Sequence, residues 1–594
     1  MKYSDQIALW LAELGYTHCF FVAGGNIMHL LESCSHTLTC IPVVHEVAAG
    51  IAAEYFNEVS ASGRAMALVT AGPGMTNVVT AMAGAFLESR ELLVIGGQVK
   101  VADLARGQVR QRGIQEIDGV SIAKSISVTS ELVDRVLDRA EFVRLAESGS
   151  HGRKGPVFLE FPLDIQGVNV ESDALNALPG TKTEDVFEPI PDTVLESVFE
   201  LLRDSKRPVL LIGGGISRES AASLLEPLAK TGIPLMCTWN GIDRIPETHP
   251  MFMGRPNTWG QRGANIVMQQ ADLLIALGTR LGLQQSGFNW QQFIPVGKVV
   301  QVECDRAELE KGHPRVDLPI CGDANLVLRR IAERTDLPAY SDWVAFGTSV
   351  RALIHPNDPQ NKTGEGFVSP YYCVLRLSDL CTPDDVVIPC SSGSANTVMQ
   401  QTFQVKQGQR VFNNKSLASM GYGLSGAIGA ALAARGRRTI LVEGDGGFTQ
   451  NLQELGTVAA NKLNLKIFLF DDDGYASIRM TQRNYFGGRY VGCDIATGLG
   501  IPKWELLFPA YSVPVMRIGP GFENDPAFLA AFNEPGAQAF LVHIDPNQTY
   551  FPKITSRMTA SGSMESNPLH QMTPDLDDAT SAKVFHYLAS VKSA

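Results

Sequence analysis

Two apolar runs in the C-terminal third of the chain each end in an acidic turn. The run 439–442 leads into Gly-Asp-Gly-Gly at 444–447, and the run 466–470 ends at three consecutive aspartates, 471–473. Carboxylates are hard oxygen ligands that suit Mg²⁺, and protein-bound Mg²⁺ commonly completes its coordination with phosphate oxygens. These residue types therefore indicate a site for a divalent cation and a diphosphate.

A strand–helix–strand unit would bring the two turns together. Both apolar runs have the character of buried strands, and between them Leu452, Leu455 and Val458 recur at the spacing of one helix face. In a right-handed unit of this kind both strands end at one edge of a parallel sheet, where ligands bind, and the helix start favours phosphate. We therefore expect Asp445 and Asp472 to lie close together. Ordinary polar turns that cap two strands would also explain each turn taken singly.

Length and charge narrow the class of protein. The chain has 594 residues, too many for one hydrophobic core, and a usual domain of about 150 residues predicts three or four domains. A formal charge of −12 gives no basic surface for nucleic acid or an anionic membrane, and no apolar run is long enough to span a bilayer. A small-molecule partner is favoured.

The N-terminus and the cysteines favour a cytoplasmic protein. Residues 1–16 alternate charged and apolar side chains as an amphipathic helix does, and they lack the basic start and apolar core of a signal peptide. The ten cysteines are scattered without a CxxC pair, which indicates neither a zinc site nor a disulfide framework. Reduced thiols are expected.

Apolar runs alternate with helical patterns in three parts of the chain, which is typical of doubly wound parallel sheets in an α/β protein. Two segments between these parts lose periodicity and collect proline, glycine and charge, as linkers do. The polar tail, rich in glycine and serine, is predicted to be a mobile lid. The predicted divisions are a first domain 1–166, a linker 167–190, a central domain 191–335, a linker 336–370, a third domain 371–550 and a tail 551–594.

Several motifs together resemble the thiamine diphosphate (ThDP) enzymes, most closely the large subunits of acetohydroxyacid (acetolactate) synthase. The Glu46 helix start, the GPGxTN turn at 72–77 and the Gly-Asp-Gly turn at 444–446 occur in the order of that family. The resemblance implies a pyrimidine-binding domain, a central domain and a diphosphate-binding domain. It also implies a ThDP- and Mg²⁺-dependent enzyme that decarboxylates a 2-keto acid, most simply pyruvate, and joins the product to a second carbonyl.

The resemblance assigns catalytic roles in the first domain. Glu46 would contact the aminopyrimidine ring of the cofactor and so activate its C2 carbon. Gly24 and Gly25 would close over the substrate, and Gln115 would face the reacting side of the pocket. A first-turn glutamate that stabilises the helix dipole explains Glu46 equally well from its spacing alone.

The resemblance also implies the metal ligands and the cofactor contacts. Asp445, the side chain of Asp472 and the carbonyl of Gly474 would bind Mg²⁺, and Met420 would hold the cofactor in its bent shape. For Met420, a methionine that simply fills the core is the alternative explanation. For the segment 392–396, the alternative is an ordinary serine turn. Further contacts are expected from Pro73, Asn77, Gly393, Ser394, Asn396, Gly444, Gly446, Gly447, Tyr475 and Ala476.

The chain departs from the synthase pattern at four places. Asp471-Asp472 replaces Asn-Asn, Ile114 replaces a phenylalanine, and Val128-Thr129 replaces Lys-His. Thr481 occupies the position of a tryptophan that favours 2-ketobutyrate, so branched-chain amino-acid synthesis is not supported. The acceptor carbonyl stays open among a keto acid, an aldehyde and a keto sugar.

The sequence of the central domain indicates whether the protein binds FAD. The triple glycine 213–215 follows an apolar run but lacks the GxGxxG spacing, so a tight structural turn explains it better. Residues 281–283 replace the charged run of the FAD-binding synthases, which disfavours FAD. An FAD-containing pyruvate oxidase, a simple 2-keto acid decarboxylase and a noncatalytic scaffold with the ThDP fold are the alternative functions. Because the family's cofactor spans two subunits, the resemblance implies a homodimer or homotetramer.

Overall fold

A computed structural model describes residues 1–176, 187–558, 562 and 564–588. Three separate parallel sheets, each flanked by helices, follow one another along the chain. The prediction of three doubly wound α/β domains is confirmed. Residues 177–186 of the predicted first linker, and 559–561, 563 and 589–594 of the tail, lie outside the described residues. None of the described helices is both long and apolar enough to span a lipid bilayer.

The first sheet has six parallel strands: β1 Tyr16–Phe21, β2 Thr39–Pro42, β3 Arg64–Val69, β4 Leu92–Gln98, β5 Thr129–Leu132 and β6 Pro156–Pro162. Their order is β2-β1-β3-β4-β6-β5. Successive residues of β3 belong to different cores, with Ala67 on one side and Met66 and Leu68 on the other. This alternation is the two-residue period of a strand covered on both faces. The helices are Tyr3–Glu13, Met28–Thr37, Glu46–Val59, Pro73–Glu88, Gly119–Ala123, Arg139–Ala146, Leu163–Gln166 and Ser172–Leu175.

The central sheet has five parallel strands: β7 Pro208–Ile212, β8 Leu235–Cys237, β9 Leu273–Leu277, β10 Lys298–Glu303 and β11 Leu318–Cys321. Their order is β11-β10-β9-β7-β8, and one continuous apolar core surrounds them. The helices are Asp192–Asp204, Arg218–Thr231, Arg262–Gln269, Leu283–Ser286, Arg306–Glu310, Ala324–Ala332 and Ser341–Leu353.

The last of these helices corrects the predicted linker 336–370. Trp343, Phe346 and Val350 lie on one face of it, are buried, and join the central core. The indole Nε1 of Trp343 donates a hydrogen bond to the carbonyl of Pro208, 3.0 Å away. The linker prediction is wrong for this part, because apolar residues at helical spacing bury a face against the sheet.

The third sheet again has six parallel strands: β12 Val386–Pro389, β13 Arg410–Val411, β14 Thr439–Gly444, β15 Leu465–Asp471, β16 Val515–Ile518 and β17 Gln538–His543. Their order is β13-β12-β14-β15-β17-β16. The helices are Pro370–Leu380, Gly393–Thr402, Tyr422–Ala433, Asp445–Phe448, Leu455–Ala460, Ala476–Tyr485, Trp504–Ala510 and Pro526–Asn533.

The first and third domains share one apolar core within the chain. Helices Glu46–Val59 and Tyr422–Ala433 pack closely because small residues face each other. A Cβ at Gly429 would lie 2.0 Å from the carbonyl oxygen of Ala52, and one at Gly426 would lie 2.6 Å from the ring of Tyr55. The alanine-rich helix therefore allows the close approach that its sequence predicts.

The described part of the tail is anchored on the central domain. Strands β18 Ser556–Met558 and β19 Met564–Ser566 form an antiparallel pair, and a helix spans Asp578–Val584. Ile554, Leu569 and Met572 are buried in the central core. This packing differs from the predicted mobile lid, because apolar side chains spaced along the tail bury against the central sheet.

Candidate active site

The two acidic turns meet at the carboxyl edge of the third sheet. Strands β14 and β15 are direct neighbours, so both turns emerge side by side. Asp445 Oδ2 accepts backbone N–H bonds from Asp472 at 3.2 Å and Gly474 at 3.1 Å. Its Oδ1 accepts one from Gly446 at 2.6 Å. The predicted closeness of Asp445 and Asp472 is confirmed.

The electrostatics of this pair suit a divalent cation. Burial, together with the charges of Asp472 and Asp471, raises the pKa of Asp445 well above its usual range. Burial also raises the pKa of Asp472 to about 7. Asp472 Oδ1 is buried and lies 2.8 Å from the Arg479 guanidinium. Two neighbouring buried carboxylates therefore fit Mg²⁺, whose charge would offset theirs.

Arg479 is a neighbour of this site that the sequence analysis assigned no role. Its Nη2 lies 2.8 Å from Asp472 Oδ1 and donates to the Asp472 backbone carbonyl at 2.7 Å. Both side chains are buried. The guanidinium therefore offsets the charge that aspartate adds where the synthases have asparagine. The signal in the sequence is an arginine seven positions after an uncompensated acid.

Two glycines of the acidic turns, Gly446 and Gly474, are required by packing. A Cβ at Gly446 would lie 2.3 Å from the ring of Tyr475, and one at Gly474, where φ is +148°, would lie 2.3 Å from the carbonyl oxygen of Cys493. Tyr475 N donates to the same Cys493 carbonyl at 2.8 Å. Gly447 is less crowded, and Gly444 has open space where a Cβ would be. Gly444 is thus the glycine of this turn with room for a ligand beside it.

The helix predicted after the first turn is broken into three pieces. It consists of Asp445–Phe448, a 3₁₀ turn Leu452–Glu454 and Leu455–Ala460. Asn451 Nδ2 donates to the Gly421 carbonyl at 2.8 Å instead of facing solvent. The residues of the predicted apolar face, Leu452, Leu455 and Val458, are therefore helical, but they are divided between the 3₁₀ turn and the short α-helix that follows it.

The serine turn lies beside the acidic turns. Gly393, with φ +77°, begins the helix Gly393–Thr402, and Ser394 Oγ is 3.2 Å from Ser477 Oγ of the next segment. Tyr550 is buried, and its burial together with the charge of Asp472 raises the pKa of its hydroxyl well above the usual range. Asn396 is wholly buried and donates to the Cys390 backbone carbonyl, so it stabilises the turn from the interior of the domain. Tyr550 was not identified from the sequence.

Met420 lies next to the segment that follows the first acidic turn. It is half-buried, and its sulfur is 4.0 Å from Gln450 Nε2. Gly421 follows with φ +79°, and the amide of Asn451 holds its carbonyl. The structure therefore brings Met420 to the edge of the sheet that carries Asp445.

The predicted residues of the first domain form a second group. Glu46 begins its helix and is only 7 % exposed, and Asn77 Nδ2 donates to Glu46 Oε2 at 2.9 Å. Pro73 occupies the first turn of the helix that carries Asn77. A Cβ at Gly24 would lie 2.4 Å from the Thr70 side chain, whereas Gly25 has open space around it. Asn77, which the resemblance implies as a cofactor contact, thus orients the Glu46 carboxylate in the structure.

Gln115 lies at the GPG turn. Its φ is +63°, and its carbonyl oxygen is so close to Gly72 that a Cβ there would be 2.3 Å away. The neighbouring Ile114 is 84 % exposed. Gln115 is thus on the surface of the first domain, at the same sheet edge as the turn.

Glu454 connects the two groups within one chain. Its Oε1 accepts from the backbone N–H groups of Val44 at 3.1 Å and His45 at 3.0 Å, directly before the Glu46 helix. Thr457 Oγ1 donates to its other oxygen at 2.7 Å. No hydrogen bond within the described ranges joins Glu46 itself to the acidic turns. Sequence reasoning missed Glu454, because its partners lie some 410 positions away.

The triple glycine of the central domain is tightly packed. A Cβ at Gly213 would lie 2.1 Å from the carbonyl oxygen of Gly278, and one at Gly215 would lie 2.8 Å from the Gly278 Cα. Two strand-ending loops therefore touch backbone to backbone here. This contact supports the structural explanation of the glycines.

Comparisons with known proteins agree with this architecture. Residues 1–122 match the family description "Thiamine pyrophosphate enzyme, N-terminal TPP binding domain", residues 195–331 match its central domain, and residues 391–544 match its C-terminal TPP binding domain. Asp445 and Asp472 fall within the C-terminal match, and Glu46 and Asn77 fall within the N-terminal match.

Curated relatives extend the similarity over most of the chain. Acetolactate synthase isozyme 1 large subunit of Escherichia coli is 27 % identical over 574 residues, 93 % of this chain and 95 % of the relative. Acetolactate synthase of Mycobacterium bovis is 31 % identical over 506 residues, covering 82 % and 78 %. The acetolactate synthase large subunit of Corynebacterium glutamicum is 30 % identical over 540 residues, covering 88 % and 83 %. The chain therefore belongs to the thiamine pyrophosphate enzyme family and is a ThDP-dependent enzyme.

Proposed function

We propose that this enzyme decarboxylates a 2-keto acid, most simply pyruvate, and joins the remaining two-carbon unit to a second carbonyl compound. The observation that carries the proposal is the pairing of Asp445 with the Asp472 turn at one sheet edge. The relatives, which are named acetolactate synthases, support joining over simple decarboxylation.

Asp445, the Asp472 side chain and the Gly474 carbonyl would hold Mg²⁺ together with the cofactor's diphosphate. The charge repulsion between the two buried acids favours a cation there, in addition to the Arg479 guanidinium that contacts Asp472. Gly393, Ser394 and the open side of Gly444 would line the diphosphate. Asn396 would act from behind this turn, because it is fully buried.

When bound, ThDP supplies a carbon nucleophile and an electron sink for the bond to CO₂. Glu46 would hold a proton against a ring nitrogen of the aminopyrimidine, and Asn77 would keep Glu46 Oε2 in place. Because Glu46 is 7 % exposed, bulk water would not compete for that contact. Met420 would support the cofactor between its rings, and Gly25 and Gln115 would border the substrate.

A homodimer or homotetramer would complete the site. Glu46 makes no described hydrogen bond to the acidic turns of its own chain, so a second copy would supply one half of each site. The segment after the acidic turns exposes Ile478, Phe486, Val491 and Ile495, which a partner would cover.

The test is incubation of the protein with ThDP, Mg²⁺ and carboxyl-labelled pyruvate, with and without a panel of keto acids, aldehydes and keto sugars. Release of labelled CO₂ and a carboligated product would support the proposal. Absence of CO₂ release from any 2-keto acid would overturn it. Chelation of Mg²⁺ should abolish turnover, and a flavin absorption band would instead favour the oxidase alternative.

Glu46→Gln should leave ThDP bound and slow exchange of the cofactor's C2 proton by at least about 100-fold, because a positioned general acid–base group contributes this much. Exchange is followed by proton NMR after quenching in acid. The control is Glu32→Gln, since that carboxylate is exposed on another helix. Equal exchange in both variants would remove Glu46 from the proposed role.

A further inference from the structure

Lys553 is a buried cation without an acidic partner. Lys553 is only 7 % exposed, and its ammonium contacts the Met480 sulfur at 3.3 Å. The rings of Trp259 and Phe551 lie 5.7 Å from Nζ. Across the described ranges no carboxylate pairs with it. An ammonium has three strong donors, and a thioether is only a weak acceptor, so most of this capacity is unused.

A second cation lies beside it. Arg483 is on the same helix as Met480, three positions later, and therefore on the same face. Its Nε is buried and has no hydrogen-bond partner among the described residues, while its Nη1 donates to the Asn547 carbonyl at 3.3 Å. Burial lowers the pKa of Lys553, and the charge of Arg483 lowers it further. Lys553 and Arg483 are thus neighbouring cations, and no carboxylate pairs with either of them in the part of the chain that the structure describes.

The backbone holds Lys553 in this arrangement. Lys553 N donates to the Thr573 carbonyl at 3.1 Å, and Thr573 N donates back at 2.8 Å. Burying an unpaired charge is costly, so a polar or apolar residue would serve folding better at this position. A bound anion would supply the partner that the described residues do not.

Both cations are connected to the candidate active site. The helix that carries Arg483 begins at Ala476, directly after the acidic turn, and Lys553 contacts the same helix at Met480. At 1.5 Å per residue, Arg483 is about 10 Å along the helix from Ala476. The two cations therefore lie beyond the turn at which a diphosphate would bind.

We propose that Lys553 and Arg483 form a subsite for an anionic group of the acceptor substrate, a carboxylate or a phosphate. A planar guanidinium and an ammonium can together satisfy the several acceptor oxygens of such a group. The inference rests on the proposed function, because it presumes an acceptor.

The test uses protein loaded with ThDP and Mg²⁺, so that the diphosphate position is filled, and inorganic phosphate as the probe in calorimetric titration. Lys553→Met and Arg483→Gln should each weaken phosphate binding by at least about 10-fold, as loss of a charged hydrogen bond does. Arg489→Gln, an exposed charge in the same segment, should bind phosphate like the parent protein. Lys553→Met should also raise the melting temperature, because it removes a buried unpaired charge.

Three outcomes would overturn the subsite. Equal phosphate binding in the parent protein and Lys553→Met would mean an adventitious ion only. A loss of ThDP affinity in Lys553→Met would assign the cations to the cofactor's diphosphate. A lowered melting temperature would assign Lys553 to folding. Failure of pyruvate decarboxylation would leave all three measurements unchanged, so the two proposals fail separately.

Discussion

Asp472 and Arg479 show how a single replacement is accommodated next to a metal site. An aspartate adds one negative charge where the related synthases have asparagine, and this charge is buried beside Asp445. Arg479 contacts both the carboxylate and the backbone carbonyl of Asp472. The turn therefore keeps close to the charge balance that a diphosphate and Mg²⁺ require.

Removal of Arg479 should reveal this balance. Arg479→Gln leaves Asp472 buried and unpaired, and loss of one partner of a buried pair costs roughly 3–5 kcal/mol. We expect the free energy of unfolding to fall by this amount in urea titration, and excess Mg²⁺ to restore part of it. The double variant Asp472→Asn/Arg479→Gln should recover most of the loss. If the double variant is as unstable as the single one, charge compensation is not the role of Arg479.

At the scale of elements, the second acidic turn depends on a close backbone contact. The loop that contains Cys493 packs directly against Gly474, whose φ lies in the left-handed region. Gly474→Ala should therefore lower the free energy of unfolding by about 2 kcal/mol or more, through steric overlap and backbone strain.

Gly444→Ala is the matched control. A methyl group there meets open space at φ −83°, so stability should change by less than about 1 kcal/mol. Urea unfolding measures stability, and titration with ThDP measures binding. If Gly444 lines the diphosphate, its variant should bind ThDP more weakly while remaining as stable as the parent protein. A stable Gly474→Ala variant would contradict the packing argument.

The long apolar strands could be predicted from the sequence, and some short strands could not. The runs at β3, β4, β14 and β15 are four or more apolar residues between turns, which periodicity detects. Strand β5 contains two polar hydroxyl residues and a glutamate, and β13 has two residues, so only their neighbours in the sheet define them. The helix after Asp445 was predicted too long, because the hydrogen bond that interrupts it comes from a distant segment.

The candidate site was likewise predictable only where its residues belong to one local unit. Asp445 and Asp472 belong to one strand–helix–strand unit, so local topology alone brings them together. Arg479 and Glu454 act through contacts that only the folded chain creates. Their types are common on protein surfaces, and no spacing in the sequence distinguishes them.

For the whole molecule, a buried charge cluster joins the three domains. Arg90 of the first domain pairs with Glu54 at 2.8 Å and donates to the Asn413 carbonyl of the third domain at 2.6 Å. Arg218 of the central domain pairs with Glu58 of the first at 2.9 Å. These directional contacts fix the relative orientation of the sheets, and with it the position of the Glu46 helix.

The tail adds a pH-dependent contact to this assembly. His570 is buried against the central domain, 3.4 Å from Gln269 and near the ring of Phe585. Burial lowers its pKa from about 6.5 to about 4. The folded protein therefore favours the neutral ring. Below the pKa that His570 has in the unfolded chain, protonation of the ring favours unfolding. The contribution of His570 to stability is complete above pH 6.5 and falls progressively between pH 6.5 and 4.

His570→Gln should therefore flatten the acid side of the stability profile. The parent protein should lose about 3 kcal/mol more than the variant between pH 7 and 4, since one pKa unit is worth about 1.4 kcal/mol. Urea unfolding at a series of pH values measures the difference, and His36→Gln is the control because that ring is 70 % exposed. If the stability profiles of the parent protein and His570→Gln stay parallel between pH 6.5 and 4, the His570 ring is solvated at acidic pH. The anchoring of the tail would then not contribute to acid sensitivity.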